Sequence, residues 1–269
     1  MAFHADTKTD FARFGIPRLD AALGGGIPRG AVILLEDEVG VDKGPLMIQF
    51  LANGLRSGEY GYILSTEHLY DHYRRQLVPF EIDEIVVETK RLMFLDGFTN
   101  PFGYDTIGGG PPTAALSEGL GSGYQAFGQD NIIRDISQPR IVTDSIRIAL
   151  NHVRPPQKVR GVIDSLTTLI LVSDNLKAPL SFLQHQIAAD KVRDRISILT
   201  IHRDAHDITI VKALEHYADG VLRLKQTSTG QVLEIVKMFG LPLDEIETAS
   251  FEYKVSPGKI SLTPLLKES

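Results

Sequence analysis

A short acidic stretch around Lys43 holds residues whose types and spacing could bind phosphate. The segment ILLEDEVGVDKGPLMIQFL, residues 33–51, places this lysine between an apolar run and an amphipathic segment. A phosphate-binding loop at such a junction reads G-x-x-x-x-G-K-[ST]: its glycines let backbone N–H groups wrap the phosphates, its lysine neutralises charge, and its hydroxyl binds Mg²⁺. Aligned on Lys43, both glycine positions are acidic, Asp37 and Asp42, and the hydroxyl position is Gly44. Of these chemical groups, only the lysine is present.

The charge of this loop opposes the binding of a triphosphate. Two like unit charges ~4 Å apart repel by ~4 kcal/mol at an effective dielectric near 20. The acids that surround the lysine in the sequence are Glu36, Asp37, Glu38 and Asp42. Pro45 is tolerated in the first helical turn but offers no N–H group. We therefore predict that ATP does not bind tightly and that no cofactor is required. The degenerate loop comprises Asp37, Glu38, Val39, Gly40, Val41, Asp42, Lys43, Gly44 and Pro45.

Apolar, β-branched runs alternate with segments of helical periodicity along the chain. The runs that predict strands are residues 31–36, 61–66, 92–96, 159–165, 196–202 and 220–225. Helical periodicity marks residues 44–58, 70–77, 141–153, 178–195 and 210–218. This alternation predicts an α/β fold with a mainly parallel sheet that is covered on both faces. Residues 230–240 and 249–262 alternate apolar with polar, which predicts antiparallel strands at one edge of the sheet.

Residues 97–129 interrupt the alternation with a segment that is rich in glycine and poor in charge. Loops of this length are usually functional or disordered. A mobile surface insertion and an ordered partner-binding loop both remain open interpretations. The chain shows no internal repeat and no convincing boundary, so we predict a single domain over residues 1–269 with this insertion.

The composition excludes several classes of function. The 269 residues carry a formal net charge of −6, so no global basic field attracts nucleic acid or anionic lipid. There is no cysteine, which excludes disulfides, thiol catalysis and cysteine-ligated zinc. The N-terminus lacks the basic flank and apolar run of a signal peptide, and no apolar run approaches the ~20 residues of a membrane span. We predict a cytoplasmic protein with no membrane contact.

Residues 14–68 resemble the opening of the KaiC and RadA branch of the RecA-like P-loop proteins. That branch opens with G-I-x-x-L-D-x-x-L-G-G-G-I/L-P-x-G before its first core strand. The signature is complete here, as Gly15, Ile16, Leu19, Asp20, Leu23, Gly24, Gly25, Gly26, Ile27, Pro28 and Gly30. The resemblance continues with VIDSLTTLI (162–170), which is similar to the family's Walker B strand, and with ALEHYADGVLRL, LEIVKMFG and FEYKVSPGKISL. It implies a RecA-like P-loop fold for nearly the whole chain.

The same resemblance implies that catalytic positions have changed. In KaiC-like ATPases two glutamates after the second strand activate water; here Glu67 matches one and His68 replaces the other. The family's K-M-R-G turn points a lysine and an arginine at the γ-phosphate of the neighbouring subunit. KMFG keeps Lys237 but puts Phe239 at the arginine position, where it cannot stabilise developing charge. Asp164 matches the Walker B carboxylate, although a carboxylate that caps the strand end is the favoured interpretation. We expect no catalytic residue, with Glu67 and Asp164 as vestigial candidates.

The loop is also locally similar to that of the fourth subunit of the Elongator accessory ring, a RecA-type fold without a working Walker A. An acidic E-E-D followed by S-P-L-L in that subunit resembles residues 36–38 and 44–47 here. The similarity implies a hetero-hexameric ring that contacts tRNA and assists wobble-uridine modification. Candidate RNA contacts are Tyr73, Arg74, Arg75 and Arg203, since RNA binding uses arginines and exposed aromatic rings. A solvated helix face is the favoured interpretation of the basic residues, and RNA contact is the alternative.

Histidines and aspartates also cluster after a predicted strand. His202, Asp204, His206 and Asp207 are types that suit Zn²⁺ or Mn²⁺. A solvated or partner-facing loop is the favoured interpretation, and we predict no metal site.

Three functional hypotheses compete. The favoured one is a non-hydrolysing protein of RecA/KaiC fold that forms a hexameric ring with itself or with paralogues and acts as a scaffold, with an Elongator-like role on tRNA. The first alternative is a KaiC-like ATP-binding regulatory ATPase in which Lys43, Glu67 and Asp164 hold ATP and Mg²⁺. The second is a RadA-like recombination accessory, which the net charge of −6 disfavours.

Overall fold

The computed structural model describes residues 10–99, 132–173, 175, 177–240 and 249–265. Its strands are β1 Phe11–Ala12, β2 Ile27–Pro28, β3 Val32–Asp37, β4 Tyr60–Ser65, β5 Leu92–Asp96, β6 Val159–Ile163, β7 Ile196–His202, β8 Gly220–Thr227, β9 Gly230–Met238, β10 Ser250–Ser256 and β11 Lys259–Pro264. Its α-helices are α1 Pro17–Ala22, α2 Gly44–Arg56, α3 Tyr70–Leu77, α4 Asp83–Thr89, α5 Pro139–Ala149, α6 Leu166–Leu171, α7 Lys177–Val192 and α8 Ile208–Tyr217. Short 3-10 helices lie at Val78–Phe80 and Arg203–Ala205.

A nine-stranded sheet forms the framework, in the order β11-β10-β9-β8-β3-β7-β6-β4-β5. From β8 to β5 the strands run parallel. The last three strands of the chain, β9, β10 and β11, pair antiparallel at one edge. The prediction of a mostly parallel sheet with antiparallel C-terminal strands is therefore confirmed. The carboxyl ends of the parallel strands share one edge of the sheet, where ligands bind in open α/β folds.

The sheet is buried on both faces, as β3 illustrates. Ile33 and Leu35 belong to a hydrophobic cluster with α1, α2, α3 and α4. Val32 and Leu34, which point the other way, belong to a second cluster with α5, α6, α7 and α8. A strand that packs against helices on both sides needs apolar side chains at successive positions, which explains the run at residues 32–35.

The predicted elements agree with the observed ones in the core and differ at shorter segments. The helix expected at residues 70–77 has the same bounds, whereas α1, α4 and α6 were not predicted. The strand expected at 159–165 ends at Ile163. The following residues form α6, because the Ser165 side chain caps that helix by accepting the Thr168 N–H at 3.3 Å.

The glycine-rich signature before β3 has a packing explanation. Asp20 accepts the backbone N–H groups of Phe14 and Gly15 at 2.7 and 3.0 Å, which closes the lead-in on itself. Gly26 has φ +137°, and a Cβ there would lie 2.8 Å from the carbonyl oxygen of Ala12. Only glycine fits this position, between the paired strands β1 and β2.

The predicted insertion at residues 97–129 lies outside the described residues, apart from its first three positions. The expectation of a single domain therefore stays a prediction. None of the helices in the described ranges is long and apolar enough to cross a membrane.

Candidate functional site

Four ionisable side chains meet at the carboxyl edge of the sheet. Asp37, the last residue of β3, is paired in register with His202, the last residue of β7. Glu67 follows the end of β4 by two residues, and Lys43 immediately precedes α2. Because parallel strands end at the same edge, residues distant in sequence converge there. We call these four residues the Lys43 cluster.

The lysine lies at the centre of this cluster. Its Nζ is 3.1 Å from Glu67 Oε2 and 3.8 Å from Asp37 Oδ1. The His202 ring bridges the two acids, with Nδ1 2.7 Å from Asp37 Oδ2 and Nε2 2.8 Å from Glu67 Oε1. Lys43 is only 7% exposed. The lysine that should face a phosphate is therefore surrounded by the protein's own carboxylates.

The electrostatics of the cluster favour the charged form of every member with a shifted pKa. Hydrogen bonds to Asp37 and Glu67 raise the pKa of His202 to about 9, against the opposing effects of burial and of the Lys43 charge. Burial raises the pKa of the Glu67 carboxyl, but the His202 hydrogen bond and the Lys43 charge outweigh it and hold that pKa at about 2. With both ring nitrogens of His202 protonated, its 3.1 Å contact with Lys43 Nζ is a repulsive pair and not a hydrogen bond. Two anions and two cations then balance to no net charge.

The four acids of the loop do not all face the lysine. Glu36 is fully buried and accepts from an arginine of β8 at 2.6 Å. Asp42 accepts the backbone N–H of Gly44 at 2.8 Å. Glu38 accepts a backbone N–H from the end of β8 at 3.3 Å. Each carboxylate has a nearer partner elsewhere, so Asp37 is the one that contacts Lys43.

Several backbone donors of the loop are already bonded within the chain. The Glu38 N–H donates to a β8 carbonyl at 3.2 Å, and the Val41 N–H donates to the Glu38 carbonyl at 3.2 Å. The Val39 N–H donates to the Asp204 carboxylate at 3.4 Å. Phosphate binding at a helix N-terminus needs such N–H groups to point at the ligand. Here several of them stabilise the loop itself.

The space next to Gly44 is filled by a side chain of α3. A Cβ built on Gly44 would lie 2.7 Å from the Gln76 Nε2 atom and 3.0 Å from its Oε1. A hydroxyl residue at this position would therefore displace Gln76, which also contacts His72 at 3.0 Å. In this structure, therefore, Gln76 occupies the space that a hydroxyl-bearing side chain at position 44 would need.

Asp164 is a fully buried acceptor at the end of β6. Its Oδ1 accepts from the Thr66 N–H at 2.8 Å and from the Thr66 hydroxyl at 3.0 Å. Its Oδ2 accepts from the Ser65 hydroxyl at 2.7 Å, from the Glu67 N–H at 3.3 Å and from the Tyr73 hydroxyl. Five donors occupy the two oxygens, and the residue is 0% exposed. This carboxylate holds the segment after β4 against β6 and so positions Glu67.

Comparison with known proteins places this geometry in a family. The family model described as "ATPase: KaiC" matches residues 12–267. The chain belongs to the KaiC ATPase family. An UPF0273 protein of Thermotoga maritima is 26% identical over 212 residues, which cover 78% of this chain and 77% of that protein. The archaeal flagellar ATP-binding protein FlaH of Sulfolobus acidocaldarius is 25% identical over 252 residues, which cover 92% of this chain and 94% of that protein.

A solved structure shows the same fold. The crystal structure of a KaiC-like protein from Pyrococcus horikoshii matches with a TM-score of 0.68 at 19% identity, over 95% of this chain and 100% of that one. The predicted KaiC-like RecA fold is confirmed.

The residues at the positions of the KaiC-family nucleotide site make contacts within the chain in this structure. Lys43 is neutralised by its own cluster, Gly44 has no hydroxyl, and both oxygens of Asp164 are occupied by internal donors. Among the described residues, no group of three or more His, Cys, Asp or Glu side chains is arranged to hold a metal ion.

The finger turn of the family serves the chain's own helix here. Lys237 Nζ donates to the carbonyl oxygens of Glu215, His216 and Ala218, at 3.0, 3.1 and 2.6 Å. These carbonyls lie at the carboxyl end of α8, where a cation is favoured. Phe239, at the arginine position, is 75% exposed.

The candidate RNA contacts are not equally available. Tyr73 is 1% exposed and donates its hydroxyl to Asp164, so the expectation that its ring stacks on bases is wrong for this conformation. Arg203 lies near Glu36, with its Nε 4.0 Å from that carboxylate. Arg74 and Arg75 lie on the outer face of α3 and are exposed.

The histidine-rich segment after β7 also differs from its expected role. The sequence favours a solvated or partner-facing loop, whereas His202 belongs to the Lys43 cluster and His206 Nε2 lies 3.0 Å from the Thr167 hydroxyl. The sequence pattern names His202 only within a weak metal cluster and does not connect it with Lys43. Its position at the end of a predicted strand was the available signal.

Proposed function

We propose that this member of the KaiC ATPase family no longer hydrolyses ATP and serves as a ring-forming scaffold. The observation that carries the proposal is the neutralised lysine: Lys43 is buried, with its ammonium 3.1 Å from Glu67 and 3.8 Å from Asp37. A phosphate would have to compete with both carboxylates for this cation. A hydrogen bond to a charged group contributes about 1.5–3 kcal/mol, whether the acceptor is a carboxylate or a phosphate. Replacing a carboxylate by a phosphate at Lys43 would therefore gain little free energy.

Hydrolysis lacks a second requirement. Glu67, which matches a water-activating glutamate of the family, has its two carboxylate oxygens paired with Lys43 and His202. A carboxylate with a pKa of about 2 is a weak proton acceptor at neutral pH. The same side chain cannot hold the lysine and activate a water molecule.

Calorimetric titration with Mg²⁺-ATP tests the loss of nucleotide binding. We expect no binding in the micromolar range for the wild type and for Lys43→Ala. Lys212→Ala, which removes an exposed lysine on α8, is the matched control for charge. Micromolar binding that Lys43→Ala abolishes and Lys212→Ala preserves would contradict the proposal.

The ring rests on the finger turn and on the family fold. Phe239 presents an exposed aromatic ring at the position that faces the neighbouring subunit in the family. An apolar side chain there would pack against a second copy or a paralogue without needing a phosphate. Light scattering should then report a particle of about six times 29.7 kDa.

A charge at this position should break the ring. Phe239→Asp should lower the particle mass, whereas Val255→Asp, at a partly exposed position on β10, should leave it unchanged. A monomeric wild type at high concentration would rule out a homomeric ring. The proposal would then require a ring formed with a paralogue, which should co-purify with this chain.

An Elongator-like contact with tRNA is the most specific part of the proposal. It rests on the exposed arginines of α3, Arg74 and Arg75, and on the acidic loop motif at residues 36–38. We expect tRNA binding that weakens as salt rises and that Arg74→Ala/Arg75→Ala reduces. Preference for duplex DNA over tRNA would favour a RadA-like role instead, and binding that does not change with salt would count against both.

A second candidate function is an ATP-binding regulatory ATPase of the KaiC type. It is favoured by the FlaH relative, which is described as ATP-binding and is similar over 94% of its length. In this alternative Lys43 leaves its cluster when ATP binds. The calorimetric experiment separates the two functions, because only the second requires ATP affinity that depends on Lys43.

A further inference from the structure

A cavity of about 450 Å³ opens at the amino ends of β6 and β7. Its walls come from the end of α5, the connection to β6, the end of α7 and the residue before β7. The Lys43 cluster lies at the opposite edge of the sheet, because His202 ends the strand that Arg195 precedes. The seven residues of β7 span about 23 Å, so the two places are separate.

Four arginines line this cavity: Arg147, Arg154, Arg193 and Arg195. The described residues that line it include no acid; the other polar ones are an asparagine and a glutamine. Arg147 is paired, with its guanidinium 3.1 Å from Asp144. Arg154 makes a single side-chain hydrogen bond, to a neighbouring carbonyl at 3.4 Å. The cavity is thus a concentration of positive charge in a chain whose net charge is −6.

Arg195 carries the argument furthest, because its side chain lies in the cavity wall without a direct hydrogen-bond partner in the described part of the chain. It is 6% exposed, and its guanidinium has no hydrogen bond or ion pair with any residue in the described ranges. Burial and the nearby charge of Arg193 lower the pKa of Arg195, against the opposing effects of Tyr62 and of the Asp190 charge. Asp190, a buried acid whose charge acts on Arg195, has both oxygens 3.0 Å from Gln186 Nε2 and forms no ion pair with Arg195. A guanidinium in a cavity wall without an ion pair can donate charge-assisted hydrogen bonds to an anion that enters the cavity.

The backbone fixes this arginine in place. The Arg195 N–H donates to the Asp190 carbonyl at 3.0 Å, and its carbonyl accepts the Gly30 N–H at 2.7 Å. The side chain therefore starts from a rigid position between α7 and β7. Preorganised donors of this kind lower the entropy cost of binding.

We propose that this cavity binds a small organic phosphate, independently of the loop around Lys43. Arg195 and Arg193 would contact the phosphate oxygens, since the planar guanidinium matches phosphate with paired hydrogen bonds. The exposed side chains of Ile148 and Val192 supply an apolar wall for the organic part. The volume lies within the range of ligand pockets, about 300–1,000 Å³.

Calorimetry with phenyl phosphate and with pyrophosphate, at low ionic strength, tests the proposal. We expect both to bind the wild type, and phenyl phosphate to bind more tightly because its ring contacts the apolar wall. Arg193→Ala and Arg195→Met should each weaken binding about tenfold or more, which corresponds to a lost charge-assisted hydrogen bond. If Arg195→Met does not fold, the exposed pair Arg154→Ala/Arg193→Ala takes its place.

Two controls separate this site from general charge effects and from the nucleotide loop. Arg140→Ala removes an equal charge from α5 at a side chain that is 94% exposed and does not line the cavity. Lys43→Ala disrupts the other edge of the sheet. Both should retain wild-type affinity for the two probes. The absence of millimolar binding in the wild type, or binding that the arginine variants leave unchanged, would overturn the proposal.

Discussion

Replacing Asp164 by asparagine distinguishes a structural acceptor from a metal ligand. Asparagine keeps the shape of the side chain but removes the charge and one acceptor oxygen. Whichever way the amide points, its NH₂ group then faces a backbone N–H, either that of Thr66 or that of Glu67. The hydroxyls of Ser65 and Tyr73 can rotate to accept instead, but a backbone N–H cannot.

The cost follows from the five donors that this carboxylate accepts. A hydrogen bond to a charged acceptor contributes about 1.5–3 kcal/mol and one to a neutral acceptor about 0.5–1.5 kcal/mol, while an unsatisfied buried donor costs about 1–3 kcal/mol. Because such contributions are not additive within one network, we expect a loss of about 4 kcal/mol in the free energy of unfolding. With an unfolding entropy of about 2.1 cal/mol/K per residue, the 269 residues predict a fall in Tm of about 7 °C.

Urea unfolding and thermal melts of the wild type, Asp164→Asn and Asp71→Asn measure this effect. Asp71 is a half-exposed acid on the same helix as Tyr73, and its substitution should change stability by less than about 0.5 kcal/mol. If Asp164→Asn is as stable as the wild type and instead abolishes a Mg²⁺-dependent activity, the structural interpretation is refuted. The carboxylate would then be a working Walker B residue.

The Lys43 cluster and the finger turn yield further tests. Because the folded pKa of Glu67, about 2, lies below its ordinary 4.5, its pairing stabilises the fold above pH 4.5 and is lost as pH falls towards 2. In urea titrations, Glu67→Gln should reduce by about 3 kcal/mol the free energy of unfolding that is lost between pH 4.5 and 2. The exposed control Glu84→Gln should leave this loss unchanged. The folded pKa of His202, about 9, lies above its ordinary 6.5, so its stabilisation is full below pH 6.5 and is lost as pH rises through 9. His202→Ala should therefore reduce the loss of stability at alkaline pH. If the dependence of stability on pH is unchanged, His202 does not bridge Asp37 and Glu67. Lys237→Met should cost about 2 kcal/mol through lost capping of α8; if it lowers particle mass without affecting stability, Lys237 acts between subunits.

Local patterns were sufficient to predict the framework of the site. The continuous apolar run before Glu36 predicts a strand buried on both faces, and the amphipathic segment after Lys43 predicts a helix. Both are observed, as Val32–Asp37 and Gly44–Arg56. Such patterns depend on residues a few positions apart, so the sequence shows them directly. The substitutions at Asp42 and Gly44 are equally visible without a structure.

The partners of those residues could not be predicted in the same way. The sequence places Glu36 and Asp37 side by side, yet one binds an arginine of β8 and the other a histidine of β7. Successive side chains of a strand point to opposite faces, but which strands lie on either side is set by the order of the whole sheet. Tyr73 illustrates the same point, since its burial depends on a contact with Asp164, 91 residues away.

The sequence by itself therefore determined the family signature, the order of the core elements and the loss of glycines and hydroxyl from the loop. Tertiary structure alone decided that Lys43 is neutralised, because its two acids and its histidine come from the ends of three different strands. It also placed Arg195, which has no ion pair with another described residue, in the wall of a basic cavity at the other edge of the sheet. Charge is a property of each residue, but its compensation depends on distances across the fold, since electrostatic interactions weaken with separation and with exposure to water.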